Sequence, residues 1–132
     1  MHKTVATILL LFAFCLVVYP QAKNGRWLNG TWEGTAYQMD INETWTMKLN
    51  ARRNRYTIDY PSLKCGGRWK LQNINSWTAT FREHLSYGQD ECVDQGRVVI
   101  QRLGNGQIAY RFYNRGAGRV TASATLNRKP RQ

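Results

Sequence analysis

The chain has 132 residues, of which 42% are hydrophobic, and its 19 Lys and Arg against 8 Asp and Glu give a formal net charge of +11. This length is enough for one domain with a modest core and excludes two. Basic residues are spread from Arg26 to Arg119 instead of forming a tail, so the folded domain itself is basic.

The N-terminal segment has the features of a signal peptide. Met1-His-Lys3 is a short positive start, and residues 5–19 carry no charge. An apolar stretch of this length matches a signal-peptide core and is too short for a full membrane span. We expect residues 1–22 to be removed after Ala22 and the protein to be secreted or periplasmic. Pro20 is not the small residue that a signal peptidase prefers, so a membrane anchor formed by an uncleaved signal is the alternative.

Beyond this leader, apolar residues recur at every second position in one segment after another. Such alternation is typical of strands with one buried face, and no segment shows the i, i+3, i+4 spacing of an amphipathic helix. In chain order, the predicted inward residues are Trp32, Gly34 and Ala36; Trp45, Met47 and Leu49; Tyr56, Ile58 and Tyr60; Trp69 and Leu71; Trp77, Ala79 and Phe81; Ile108, Tyr110 and Phe112; and Val120, Ala122, Ala124 and Leu126. Between the last two strands and those before them, the segment at residues 98–103 starts apolar on both faces, as a strand buried on both sides would.

Turn-forming residues separate these segments, and the longest connection runs over residues 86–96. Eight short strands joined in sequence favour an all-β fold, a small up-and-down barrel of about eight antiparallel strands, because closure leaves no exposed sheet edge. A two-sheet sandwich is the alternative. We expect residues 23–132 to form this single β-barrel domain, with a short basic C-terminal tail at residues 128–132.

Cys65 and Cys92 are the only cysteines outside the leader, which contains Cys15. Two cysteines in a small exported domain usually pair, so we expect a disulfide bond between them. Closing a ring of this length stabilises a fold by about 3–4 kcal/mol in the loop-entropy model. The bond would also pin the long connection to one end of the barrel.

Two resemblances to known families are present. Gly30-Thr31-Trp32, just before the first strand, resembles the glycine-x-tryptophan opening of lipocalin-type and avidin-type barrels. A longer pattern comprises Ile58-Asp-Tyr-Pro-Ser-Leu63, Cys65-Gly-Gly67, Phe81-Arg-Glu83, Cys92-Val-Asp-Gln-Gly96 and Tyr110-Arg-Phe112. It resembles small extracytoplasmic bacterial modules that occur alone or attached to Ser/Thr kinases. That resemblance implies a secreted or sensor-like β domain with paired cysteines, and it implies no particular reaction.

Enzymatic activity is not expected from the residues outside the leader. His84 is the only histidine there, which is too few for a transition-metal site built from His and Cys ligands. No nucleophile turn of a Ser-His-Asp hydrolase is present. Asp90, Glu91 and Asp94 place three carboxylates close together, but their order does not match an EF-hand loop. We therefore expect no catalytic residues, no metal and no cofactor.

Glu83 is the candidate polar group of the barrel interior. The alternation that places Ala79 and Phe81 inside also turns Glu83 inward, where an ionised carboxylate is costly unless it is paired. A salt bridge or a position at the barrel rim would satisfy it. The sharper hypothesis is that Glu83 contacts a ligand inside a binding mouth.

The outward basic residues are the second candidate surface, represented by Arg68, Lys70, Arg82 and Arg111. They would suit an anionic envelope lipid or glycan, and a solvated exterior that aids solubility is the alternative. Nucleic acid is not expected, because the aromatic residues face the core instead of offering stacking platforms.

These observations favour a secreted or periplasmic, non-enzymatic binding module that recognises an anionic envelope component or a small apolar ligand. The alternative is a proteinaceous inhibitor of an extracytoplasmic enzyme, similar to the small disulfide-bonded proteins that block lysozymes. Repulsion between this basic chain and a basic lysozyme counts against that alternative.

Overall fold

The computed structural model describes residues 25–131, and eight antiparallel strands form a closed barrel in the order β1 to β8. The strands are β1 (Gly30–Gln38), β2 (Glu43–Arg52), β3 (Arg55–Tyr60), β4 (Cys65–Ile74), β5 (Thr78–Tyr87), β6 (Arg97–Gly104), β7 (Gln107–Tyr113) and β8 (Ala122–Arg128). Each strand pairs with the next, and β8 pairs with β1. The predicted up-and-down barrel is confirmed, and the sandwich is excluded. The proposed signal peptide, its cleavage site and Cys15 lie outside the described residues.

Tight turns at one end make the meander possible. Arg53 and Asn54 join β2 to β3 with φ angles of 48° and 64°, and Asn105 and Gly106 join β6 to β7 with φ angles of 51° and 69°. Successive positive φ angles match the right-handed twist of the paired strands. Asn and Gly tolerate this conformation better than other residues, so these turns follow directly from the sequence.

The same end is closed by the segment before β1. A short 3-10 helix, Arg26–Leu28, places Leu28 fully inside the barrel. The Trp32 indole Nε1 donates to the Leu28 carbonyl oxygen at 2.8 Å. The Arg128 guanidinium lies 4.1 Å from the centre of the Trp32 ring and donates to the carbonyl oxygens of Trp27 and Asn29. We call this the closed end.

The opposite end, which we call the open end, carries the longer connections, at residues 39–42, 61–64, 88–96 and 114–121. A second 3-10 helix, Pro61–Leu63, lies in one of them. Within residues 25–131, neither helical segment has the length or apolar character needed to cross a bilayer.

Aromatic side chains fill much of the interior. Tyr56 and Phe81 meet edge to face at 4.8 Å between ring centres, and Trp69 packs on Phe81 at 5.4 Å. Trp69 also stacks on Tyr110 at 5.8 Å, and Tyr110 stacks on Phe112 at 6.4 Å. This chain of rings runs through the barrel, which confirms that Tyr56, Trp69 and Phe112 face the core.

Three details of the predicted pattern were wrong. Val120 is not part of the last strand, which starts at Ala122, and it lies half-buried in the connection before it. Trp77 does not begin the fifth strand, which starts at Thr78, and its side chain is 64% exposed in the preceding turn. The sixth strand is not buried on both faces: Val98 and Ile100 are fully buried, whereas Val99 is half-buried and Leu103 is exposed. Its outer face meets solvent because a single closed sheet has no second layer outside it.

Candidate functional site

The disulfide between Cys65 and Cys92 is present, with the two Cα atoms 6.4 Å apart. Cys65 is the first residue of β4, and Cys92 lies in the connection between β5 and β6. The bond therefore holds the longest connection against the open end, as the sequence predicted. We call residues 88–96 the disulfide loop.

Polar contacts hold the other half of the disulfide loop. Asp94 Oδ1 accepts hydrogen bonds from the backbone N–H groups of Leu85 and Gln95 at 2.9 and 2.8 Å. The Arg82 guanidinium donates to the Gln95 carbonyl oxygen at 2.8 Å, and the Gln95 amide lies 3.0 Å from Nδ1 of His84. Asp94 thus anchors the loop. In the part of the chain that the structure describes, no group of three or more acidic, His or Cys side chains is arranged to hold a metal ion.

A cavity of about 160 Å³ lies inside the open end, beneath the disulfide loop. Residues from six strands and from all four open-end connections line it. The apolar part of its wall comprises Ile41, Trp45, Leu63, Val93, Phe112 and Ala122, together with the disulfide sulfur region at Cys92.

Glu83 lies in this cavity wall and is only 2% exposed. Its Oε2 accepts hydrogen bonds from the Tyr60 hydroxyl at 2.5 Å and from the Trp69 indole Nε1 at 2.8 Å. No hydrogen bond among the described residues uses Oε1. Burial raises the pKa of Glu83 to about 7, the negative charge of Asp94 adds to the rise, and the two hydrogen bonds oppose it. The prediction that Glu83 points inward is confirmed, and its role in binding stays a prediction.

Two tyrosines complete the polar group around Glu83. Burial raises the pKa of Tyr60 well above its ordinary value, and the neighbouring Glu83 raises it further. Burial and Glu83 also raise the pKa of Tyr110, which contacts the Tyr60 hydroxyl and lines the same cavity. Both hydroxyls therefore keep their protons at neutral pH, and that of Tyr60 is the proton donated to Glu83.

Trp45 adds a donor that the sequence did not reveal. Its indole Nε1 is buried and has no hydrogen-bond partner among the described residues, although its ring lines the cavity. Alternation along β2 predicted only that Trp45 faces inward. Its position two residues after the start of β2, close to an open end, was the signal that could have marked it as a cavity residue.

The four basic residues predicted as ligand contacts lie elsewhere. Arg68, Lys70 and Arg82 are on the outer faces of β4 and β5, and Arg111 is on the outer face of β7. None of them lines the cavity. The structure thus separates Glu83, inside the barrel, from the basic side chains outside it.

Three of the outer cations lie in one row. Lys70 pairs with Arg82 across β4 and β5, and Arg82 pairs with Arg97 across β5 and β6. Like charges at directly opposed positions destabilise a sheet unless an anion lies between them. The two ion pairs found within residues 25–131 both use Glu33, so no carboxylate of that range neutralises this basic row.

A groove lies beside the basic row on the outer surface. It has a volume of about 580 Å³ and is lined in part by Arg55, Arg68, Lys70 and His84. The pairing of β3 with β4 runs from Tyr60 and Cys65 to Thr57 and Arg68, and Arg55 and Tyr56 have no partner on β4. His84 is on this outer face.

The fold and the site define a class of protein: a small, disulfide-linked, closed barrel of eight antiparallel strands with a cavity at one end. Comparison with family models, curated proteins and solved structures found no match. The resemblance to the extracytoplasmic bacterial modules is therefore supported only at a coarser level, as a small antiparallel barrel whose cysteines are paired.

Proposed function

We propose that the protein is a secreted or periplasmic, non-enzymatic binding module that holds a small, mainly apolar ligand in the cavity at the open end. The observation that carries this proposal is the cavity itself, which has an apolar and aromatic wall and a few convergent polar groups. Such a combination is typical of small-molecule sites.

The size and access of the cavity limit the ligand. A cavity of about 150 Å³ accommodates a molecule of the size of benzene. Leu28 and the contact between Trp32 and Arg128 close the other end of the barrel, so the ligand enters between the connections of the open end. The bound molecule is therefore a single small ring or a short branched chain.

Filling the cavity tests the proposal. Ala122 lines the cavity and is 2% exposed, so Ala122→Leu would place new methyl groups where the ligand lies. Ala109, on β7, is partly exposed on the outer face, so Ala109→Leu is the matched control. We expect benzyl alcohol to bind the wild type and Ala109→Leu in calorimetry and not Ala122→Leu.

Circular dichroism separates loss of binding from loss of folding in this experiment. Ala122→Leu should keep the wild-type β spectrum, because its side chain enters existing space. Absence of benzyl alcohol binding to the wild type, or equal binding to folded Ala122→Leu, would contradict a ligand site in this cavity.

A second candidate function is binding to an anionic envelope lipid or glycan through the outer surface. The observation that favours it is the basic row of Lys70, Arg82 and Arg97, which no carboxylate within residues 25–131 neutralises. An anionic surface would relieve the repulsion between these side chains. The groove next to the row widens the area of positive charge.

Co-sedimentation tests this second function. We expect binding to vesicles that contain phosphatidylglycerol, no binding to phosphatidylcholine alone, and weaker binding as salt rises. Arg68→Gln combined with Lys70→Gln should weaken binding, whereas Lys48→Gln combined with Lys129→Gln removes the same charge beside Glu33 and should not. A sulfated glycan competes in the same assay and shows which anion is preferred. Equal loss in both double variants would mean that net charge, and not this surface, is responsible.

A further inference from the structure

The charge inside the cavity is opposite to that of the protein. The chain has 19 basic and 8 acidic residues, yet the charged residues that line the cavity are Glu43, Glu83 and Glu91. No Lys, Arg or His side chain is part of that lining. The field inside the open end therefore favours a cation over an anion.

The acidic residues are concentrated around this end. Six of them lie in strand ends or connections of the open end, namely Asp40, Glu43, Asp59, Asp90, Glu91 and Asp94, while Glu83 lies in the middle of β5 and Glu33 in β1. Basic residues of the same end, Lys64, Arg97, Arg115 and Arg119, do not line the cavity. The negative charge thus surrounds the entrance and the interior.

Among residues 25–131, no cationic side chain pairs with Glu83. The groups that face it are Tyr60 from β3, Trp69 from β4, Tyr110 from β7 and Asp94 from the disulfide loop, and none of these is a cation. The two neutral donors both occupy Oε2. A paired positive charge stabilises the ionised form of a buried carboxylate further, and Oε1 is the oxygen left to receive one.

The aromatic wall of the cavity also favours a cation. Tyr60, Tyr110, Phe112 and Trp45 line the cavity together with Glu83. The faces of aromatic rings attract cations, and a carboxylate combined with aromatic faces is a chemical pattern that binds ammonium groups.

We infer that the cavity ligand is a small amine, bound as its ammonium ion with the positive group on Oε1 of Glu83 and the apolar part against the aromatic wall. This inference rests on the proposed function, because it assigns the chemical class of the ligand of that same cavity. Glu83 selects the ligand by charge, and the walls select it by size.

Three compounds of nearly equal shape test the inference: benzylammonium, benzyl alcohol and benzoate. At about one pH unit above the pKa of Glu83, the wild type should bind benzylammonium about tenfold tighter than benzyl alcohol, the size of a charge-assisted hydrogen bond. Benzoate should bind least. In Glu83→Gln the preference for benzylammonium should fall to about threefold or less. Glu33→Gln removes a carboxylate on the outer wall and should leave the preference unchanged.

The outcomes separate the inference from the proposed function. Comparable binding of benzyl alcohol and benzylammonium, or a preference that persists in Glu83→Gln, would contradict the inference that the ligand is an amine. Either result would still agree with a small-ligand site in the cavity. Binding of none of the three compounds by the wild type would overturn both. If Glu83→Gln unfolds, the wild type can replace it when the three compounds are compared at about one pH unit below the pKa of Glu83. The preference for benzylammonium should shrink there, because the carboxyl is protonated.

Discussion

Trp69 and Glu83 occupy directly opposed positions of β4 and β5, and the Trp69 indole donates to the Glu83 carboxylate at 2.8 Å inside the barrel. This cross-strand pair connects the hydrophobic core to the cavity. The ring of Trp69 packs between Phe81 and Tyr110, while its N–H donates to Glu83, the one acidic or basic residue that is buried within residues 25–131. Packing and binding chemistry therefore depend on the same residue.

The stability of the protein should fall as pH rises through the range in which Glu83 ionises. Burial raises the pKa of Glu83 in the folded state from its ordinary value of 4.5 to about 7. Between these two pH values the folded state therefore holds a proton that the unfolded state has released. The free energy of unfolding should drop by about 3 kcal/mol across that range. Glu83→Gln should remove this drop, as measured by urea unfolding at several pH values. Identical pH profiles for the two proteins would contradict a buried carboxyl.

Tyr60→Phe should destabilise the protein by about 1–2 kcal/mol, because Glu83 would lose one of its two donors. The loss should be larger above the pKa of Glu83, where the carboxylate is charged. Tyr37→Phe is the control, since the Tyr37 hydroxyl bonds to Asn42 on the surface. Chemical denaturation measures the stability of both variants. Equal losses would show that the buried bond from Tyr60 to Glu83 stabilises the fold no more than the surface bond from Tyr37 to Asn42 does.

Arg128→Met should weaken the closed end by about 2–3 kcal/mol. The guanidinium packs over Trp32 and donates to two carbonyl oxygens of the segment before β1, and Met keeps only part of the apolar contact. Arg111→Met, on the exposed outer face, should change stability by about 0.5 kcal/mol or less. Thermal unfolding compares the two variants. Similar melting temperatures would show that Arg128 does not hold the closed end.

Reduction of the bond between Cys65 and Cys92, or the double change to Ala, should cost about 3–4 kcal/mol, since the bond closes a ring of 27 residue steps. Amide hydrogen exchange should then speed up mainly in the disulfide loop and at the start of β4. A uniform increase over the whole barrel would contradict a bond that chiefly holds the open end.

The barrel, the disulfide and the inward direction of Glu83 could be predicted because each depends on local rules. Alternation fixes which face a residue takes, and two cysteines in a small exported domain have one partner each. Glu83 follows Phe81 by two positions, so the alternation of the strand turns both side chains towards the barrel interior.

The partners of Glu83 could not be predicted in the same way. Register shifts between Gly66 and Gly67 and between Leu71 and Asn73 set which residue of β4 lies opposite Glu83. Such bulges add a residue to one strand and leave no clear signal in the alternation. The contact of Arg128 with Trp32 depends likewise on the pairing of the last strand with the first.

Titration of the Glu83 carboxyl carbon by NMR, with and without saturating benzylammonium, reports both the buried carboxyl and its contact with the cation. We expect a pKa of about 7 in the free protein. We also expect a fall of about one unit or more when benzylammonium binds, because a nearby positive charge favours the carboxylate. Titration at the ordinary value of a glutamate in the free protein, or a pKa that does not move when benzylammonium is bound, would contradict these expectations.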